Sequence, residues 1–184
     1  RSLVGSEMCI RDSKITVIDG KIGYIGGMNI ADRYVEGTKW GTWRDTHLRI
    51  EGPAVRGLQL LFAVDWSYEC KEVLSDSRFF PPVADKGKSG IQIAPGGPIG
   101  EWSNIAMLFL KAITNAKKNV YIQTPYFLPT EGLNQALQTA ALGGVDVGLM
   151  LPKRSDTRSA NMASHSFIDE MVKAGVKAVS YTHL

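Results

Sequence analysis

The sequence predicts an α/β protein in which helices lie on the faces of a sheet, organised as two halves joined by a linker. Three observations carry this. A short pair of β-branched runs at 15–25 is followed by segments that alternate between strand and helix signals through to residue 178. One helical stripe, Ile105, Leu108, Phe109, Ala112, Ile113 and Ala116, is continuous enough to need a covering layer. From Ser75 to Gly100 the composition shifts to Pro, Gly, Ser and charge, with SDSRFFPPVADKGKSG the clearest linker.

The elements follow in order. In KITVIDGKIGYIGGMN, residues 14–29, Ile15, Val17 and Ile18 form a strand signal stopped by Asp19-Gly20, a step suited to a tight hairpin. Ile22, Tyr24 and Ile25 resume the signal until Gly26-Gly27, where backbone without Cβ can approach a ligand or take positive φ. TWRDTHLRIEG, residues 42–52, alternates towards a strand, and Pro53 opens a helix at a tolerated first-turn position, with Val55, Leu58 and Phe62 as its buried stripe. IQIA at 91–94 reads as the short strand that begins the second half. After the striped helix, NVYIQT reads as a buried strand. Thr130 caps a helix carrying Leu133, Ala136, Leu137 and Ala140, which Gly143-Gly144 ends. VDVGLML is the next strand, and a helix around 158–174 precedes Gly175.

Composition narrows the function classes. A chain of 184 residues with 44% hydrophobic content suits one ordinary domain or two small halves. A formal charge of +3 is a mild bias, compatible with anionic phospholipid and far from a nucleic-acid signature. The two cysteines, Cys9 and Cys70, make neither a disulfide framework nor a CxxC site, so a reducing compartment is expected. No run approaches the roughly 20 apolar residues of a membrane span. The three histidines, His47, His165 and His183, are too scattered for a zinc site.

The hairpin carries the chemistry. Lys14 offers a point charge with three donors, and the Asn29 amide adds two more without charge. With backbone N–H groups at Gly26 and Gly27 they compose a site for phosphate oxygens. Side chains alternate along a strand, so Lys14 shares a face with positions 12 and 16 while Asp19, an odd step away, points elsewhere and braces the turn. Lys14 and Asn29 can then converge; an ordinary hairpin with a solvated lysine has the same shape.

The spacing K-x4-D-x6-G-G-x-N, over Lys14, Asp19, Gly26, Gly27 and Asn29, resembles the later part of the phospholipase D superfamily signature H-x-K-x4-D-x6-G-[GS]-x-N. Position 12, where that pattern has histidine, carries Asp12. TPYFLPT and PKRSD, at the carboxyl ends of two expected strands, together with APGGPIGEWSNI and WRDTHLRIEGPAV, are similar to stretches of bacterial cardiolipin synthases. The resemblance covers roughly residues 14–178: the later part of a first half (14–74), a linker (75–90) and the opening of a second half (91–178). Residues 1–13 and 179–184 stand outside it and read as non-native end sequence. The fold it implies is a phospholipase D-like mixed sheet flanked by helices.

The resemblance also implies a reaction. One motif histidine would take the phosphatidyl group of a phosphatidylglycerol as a phosphohistidine, releasing glycerol, and the other would protonate the leaving alcohol and activate a second phosphatidylglycerol. Lys14 and Asn29, with Asp19 of the same motif, would serve that chemistry beside Gly26 and Gly27. Asp45 matches the acidic residue that orients the motif histidine, or is a plain strand-edge carboxylate. Tyr126 meets substrate or, with Phe127, braces its loop; Asp156 lies at the pocket rim or caps the following helix; Lys153 and Arg154 meet lipid phosphate or stay solvated. His47, two residues past Asp45, shares its face, but no motif claims it and it reads as a structural histidine.

No metal or other cofactor is implied. The implied partners are phosphatidylglycerol and the surface of the bacterial cytoplasmic membrane, with no nucleic acid and with any anchor outside this chain. Two alternatives stay open: another phospholipase D-type cleavage, of lipid or of a nucleic-acid diester, and a noncatalytic phosphate-binding module in which Asp12 is genuine. Lacking both motif histidines, the chain by itself is expected to be inert.

Overall fold

The computed structural model describes residues 14–38, 41–43, 45–96, 103–153 and 158–181, so Asp12, Arg154 and Asp156 lie outside the described residues. The chain divides into two compact units, residues 1–34 with 45–93, and residues 35–44 with 94–184.

In the first unit β1 (Ile15–Ile18), β2 (Ile22–Gly26) and β3 (His47–Glu51) form an antiparallel sheet in the order β1-β2-β3. Asp19 and Gly20 both take positive φ, 53° and 64°, the sign pattern of a type I′ turn, and the Lys21 N–H closes it onto the Ile18 carbonyl at 3.0 Å. Helix α1 (Val55–Cys70) covers one face of this sheet. Ile50, Val55 and Leu58 are buried there, with Ile15, Val17 and Ile25 packed against them. Gly23 lets the helix come close, since a Cβ at that position would sit 2.7 Å from Leu58 Cδ1.

Two expectations change. Phe62 is not part of the buried stripe: it is 42% exposed, while Gln59 and Ala63 take buried positions on α1. IQIA at 91–94 is not a strand, and Ile93 packs into the first unit's core over Gly57. The polar segment before it also folds back on this unit, for Pro81 rests against Gly20 and Lys86 Nζ pairs with Glu51 at 2.6 Å. An unpatterned Pro- and Gly-rich stretch carries no periodicity to report such packing.

The second unit is built on a parallel sheet, β4 (Asn119–Gln123), β5 (Asp146–Pro152) and β6 (Lys177–Tyr181), in that order. Helix α3 (Glu131–Leu142) joins β4 to β5, and α4 (Arg158–Ser166) with α5 (Ile168–Lys173) joins β5 to β6. Parallel neighbours need such crossovers, and the helices bury one face of the sheet. Val147, Leu149, Leu151, Leu137, Met171 and Val176 form the centre of that core. Thr130 Oγ1 accepts the Leu133 N–H at 3.4 Å, as a capping threonine should.

The α/β class therefore holds, with antiparallel and parallel pairing in separate sheets. Of the stripe on α2 (Asn104–Asn115), only Ile113 is buried; Leu108 and Phe109 are 47% and 53% exposed. β4 alternates exposed and half-buried positions, because only one of its faces meets helices. The expected helix over 158–174 breaks at Phe167 into α4 and α5. β6 runs to Tyr181, three residues past the end of the resemblance, and the Lys153 N–H donates to the Tyr181 carbonyl at 2.8 Å.

Across the three parallel strands Tyr121 Oη donates to Asp146 Oδ2 at 2.6 Å and Lys177 Nζ pairs with Asp146 Oδ1 at 2.7 Å. Hydrogen bonds from Lys177 and then Tyr121 hold the Asp146 carboxyl below its ordinary value, and the bond to Asp146 raises Lys177. A depressed carboxyl stabilises the fold above its unfolded-state value and loses that as pH falls through the folded one; a raised lysine does the reverse at alkaline pH. The expected result is that Asp146→Asn melts below the unsubstituted chain between about pH 4 and about pH 10, and that the two melting curves converge under more acid conditions. A difference that persists unchanged at the acid end would mean that packing, not charge, makes this tie.

Candidate active site

The register gathers most of the motif at one end of the first sheet. Ile15 pairs with Ile25 and Gly26 with His47, so one further step sets Lys14 opposite Gly26, in a row Lys14–Gly26–His47 across three strands. By alternation Lys14, Thr16, Tyr24, His47 and Arg49 share the face turned away from Ile15, Val17 and Ile50, that is, away from α1. Lys14 is half-buried. Asn29 follows from the same end, three residues past β2, and is exposed. Asp19 lies at the opposite end, in the hairpin turn, where it shapes the backbone and stands apart from the glycine pair.

The glycines make room for the segment before β3. A Cβ on Gly26 would lie 2.5 Å from the Thr46 carbonyl oxygen and 2.6 Å from both His47 Cα and His47 Nδ1. A Cβ on Gly27 would fall inside the Asp45 carboxylate, 2.6 Å from Cγ. The Gly27 N–H donates to the Thr46 carbonyl at 3.2 Å, and the Thr46 N–H donates to Asp45 Oδ1 at 2.8 Å, which fixes the carboxylate beside the glycine pair. Further along the same face Glu51, paired with Lys86 and Arg49, is held below the ordinary carboxylate range, chiefly by the Lys86 hydrogen bond. The Gly27 N–H expected as a phosphate donor is thus spent on the Thr46 carbonyl; a lysine beside this bend can still hold an oxyanion, and a positioned carboxylate can orient a neighbouring group.

The second unit separates the two aromatics of TPYF. Phe127 is the brace: it is 5% exposed, its N–H donates to buried Ser164 Oγ at 3.0 Å, and its ring meets Phe167 edge-on at 6.3 Å. Tyr126 stays 41% exposed beyond the carboxyl end of β4. Lys153 is exposed just after β5. Asp156 is outside the described residues. Among the described residues no group of His, Cys, Asp or Glu could hold a metal ion, and no helix is long and apolar enough to cross a membrane.

The model of the family described as "Cardiolipin synthase, PLD-like domain" matches residues 109–184. A cardiolipin synthase of Staphylococcus aureus is 46% identical over 171 residues, covering 91% of this chain and 35% of that protein. This chain belongs to the phospholipase D-like cardiolipin synthase family. A cardiolipin synthase of Geobacillus kaustophilus is 45% identical over 171 residues, covering 91% of this chain and 34% of that one. The cardiolipin synthase 2 of Staphylococcus epidermidis is 46% identical over the same length, with 91% and 35% covered. The chain spans about a third of the length of the curated relatives it matches. Among solved structures, a polyphosphate kinase from Porphyromonas gingivalis shares 13% identity and a TM-score of 0.34 over 46% of this chain and 12% of that one, too low to speak to the fold.

In this phospholipase D-like chain, sequence reasoning had not reached Thr46 and Ser164. Thr46 acts through its backbone, which no side-chain motif announces, and Ser164 is an ordinary helix serine until Phe127 docks on it.

Proposed function

We propose that the protein is part of a cardiolipin synthase-type phosphatidyltransferase that works through a phosphohistidine. The observation that carries this reading is the Lys14, Gly26-Gly27 and Asp45 arrangement at one end of the sheet, in a chain of this family. A phosphatidylglycerol phosphate would enter beside the glycine pair, at Lys14. Lys14 and Asn29 would take its non-bridging oxygens as charge gathers in the transition state. Asp45 would hold the imidazole expected at position 12, leaving its other nitrogen free to attack phosphorus. The phosphorus–oxygen bond to glycerol breaks as the nitrogen–phosphorus bond forms, and the hydroxyl of a second phosphatidylglycerol reverses the exchange to regenerate histidine. Gly26, Gly27 and Tyr126 would border the substrate, with Asp156 at the rim. An anionic lipid and the surface of the bacterial cytoplasmic membrane are the partners this chemistry needs.

The test uses the complete reading frame recovered from both sides of this segment. With phosphatidylglycerol it is expected to yield cardiolipin and free glycerol, and Lys14→Ala is expected to lower turnover about 10²–10³-fold, as removal of a transition-state donor does. Phosphatidic acid as sole product would replace the transferase with a hydrolase, and cleavage of single-stranded DNA without lipid turnover would replace it with a nuclease. The 184-residue chain with Asp12 is expected to release no glycerol above a buffer blank.

A further inference from the structure

His47 sits where a side chain of Gly26 would go. Its Nδ1 lies 2.6 Å from the place a Gly26 Cβ would occupy, its ring stacks on Tyr24 with centroids 6.4 Å apart and planes 27° from parallel, and it shares a face with Lys14. Among the described residues Nδ1 is buried without a hydrogen-bond partner, while His47 as a whole is only half-buried. An unpartnered buried nitrogen costs free energy, and a phenyl ring would fill the same space and stack on Tyr24 without that cost. What imidazole adds is its second nitrogen. The tautomer with hydrogen on Nε2 leaves Nδ1 without an unpaired N–H and puts the ring's one donor on the other nitrogen.

We propose that His47 is a further phosphate-contacting residue of this half-site: its Nδ1 edge closes the space over Gly26, and its Nε2–H donates to a phosphoryl oxygen held in the same row by Lys14. The inference rests on the phosphate-site reading given above and adds a contact to it. The ligand chemistry is a phosphate oxyanion, whether free or in a lipid headgroup. Because the 184-residue chain is expected to bind without turnover, it serves for equilibrium measurement.

The experiment is nitrogen-15 NMR of the imidazole in the 184-residue chain, titrated separately with inorganic phosphate and with soluble dihexanoyl phosphatidylglycerol. The expected result is hydrogen on Nε2 in the free chain, a saturable Nε2 shift with both probes, and roughly tenfold weaker binding in His47→Phe, which keeps the ring volume and loses the donor. An Nε2 that stays unmoved while Gly27 or Lys14 responds overturns the His47 contact and leaves the phosphate site standing. A shift with phosphate but none with the lipid keeps His47 and removes the lipid reading. No response at any of these residues removes both. Unchanged affinity in His47→Phe makes the residue a packing element, and should that variant not fold, the tautomer and the Nε2 shift of the unsubstituted chain decide.

Discussion

Leu58→Ala is expected to unfold the first unit while the ladder of the second stays protected. Leu58 is fully buried, and among the described residues of the first unit Ile50 and Val55 are the other fully packed members of its central cluster. Truncating a buried leucine costs about 2–5 kcal/mol, the upper end applying where neighbours cannot collapse into the gap. Here the facing position on β2 is Gly23, which has no side chain to move inward. A small core supplies no more than roughly 3–5 kcal/mol in all, so the loss is comparable with everything holding the unit. The second unit has its own cluster around Leu137, Leu149 and Met171 and does not depend on Leu58. Amide hydrogen exchange reads both at once. Protection at Tyr24 and Ile25 is expected to collapse and protection at Leu149 to persist; retained protection along β2 would show that Leu58 is not the keystone of that layer.

Gly26→Ala carries the second large effect, because the added carbon meets backbone. The Thr46 carbonyl oxygen and His47 Cα cannot give way without separating β2 from β3. Overpacking of this kind costs about 1–3 kcal/mol, and more where the backbone itself must move. Gly27→Ala is the instructive contrast. Its clash is with the exposed Asp45 carboxylate, which can swing outward, so its stability loss is smaller although the carboxylate leaves the glycine pair. Urea midpoints should therefore rank the unsubstituted chain first, Gly27→Ala second and Gly26→Ala last. The reverse order of the two variants would mean that the close approach of residues 45–47 is not what requires these glycines.

The same residues separate what was legible from what was not. The turn at Asp19-Gly20 was readable because positive φ is a local demand that few residue types meet, and the Thr130 cap because an oxygen three residues from an amide needs no distant partner. The row of Lys14, Gly26 and His47 was half readable. Alternation gives each strand's faces, but the register that puts residue 47 beside residue 26 joins positions with no motif between them. Phe62 and most of the α2 stripe are exposed for a related cause, since an apolar residue is buried only where something covers it.

The sequence by itself determined the hairpin, the spacing of Lys14, Asp19, Gly26, Gly27 and Asn29, and the alternation of strands with helices, because each rests on a few neighbouring residues. Only the tertiary structure decided that Asp45 and His47 close on the glycine pair, that Phe127 turns inward while Tyr126 faces out, and that the linker residues through Ile93 fold back on the first unit. Those outcomes depend on pairing and packing between segments far apart in the chain, and contact of that kind is selected by the fold as a whole.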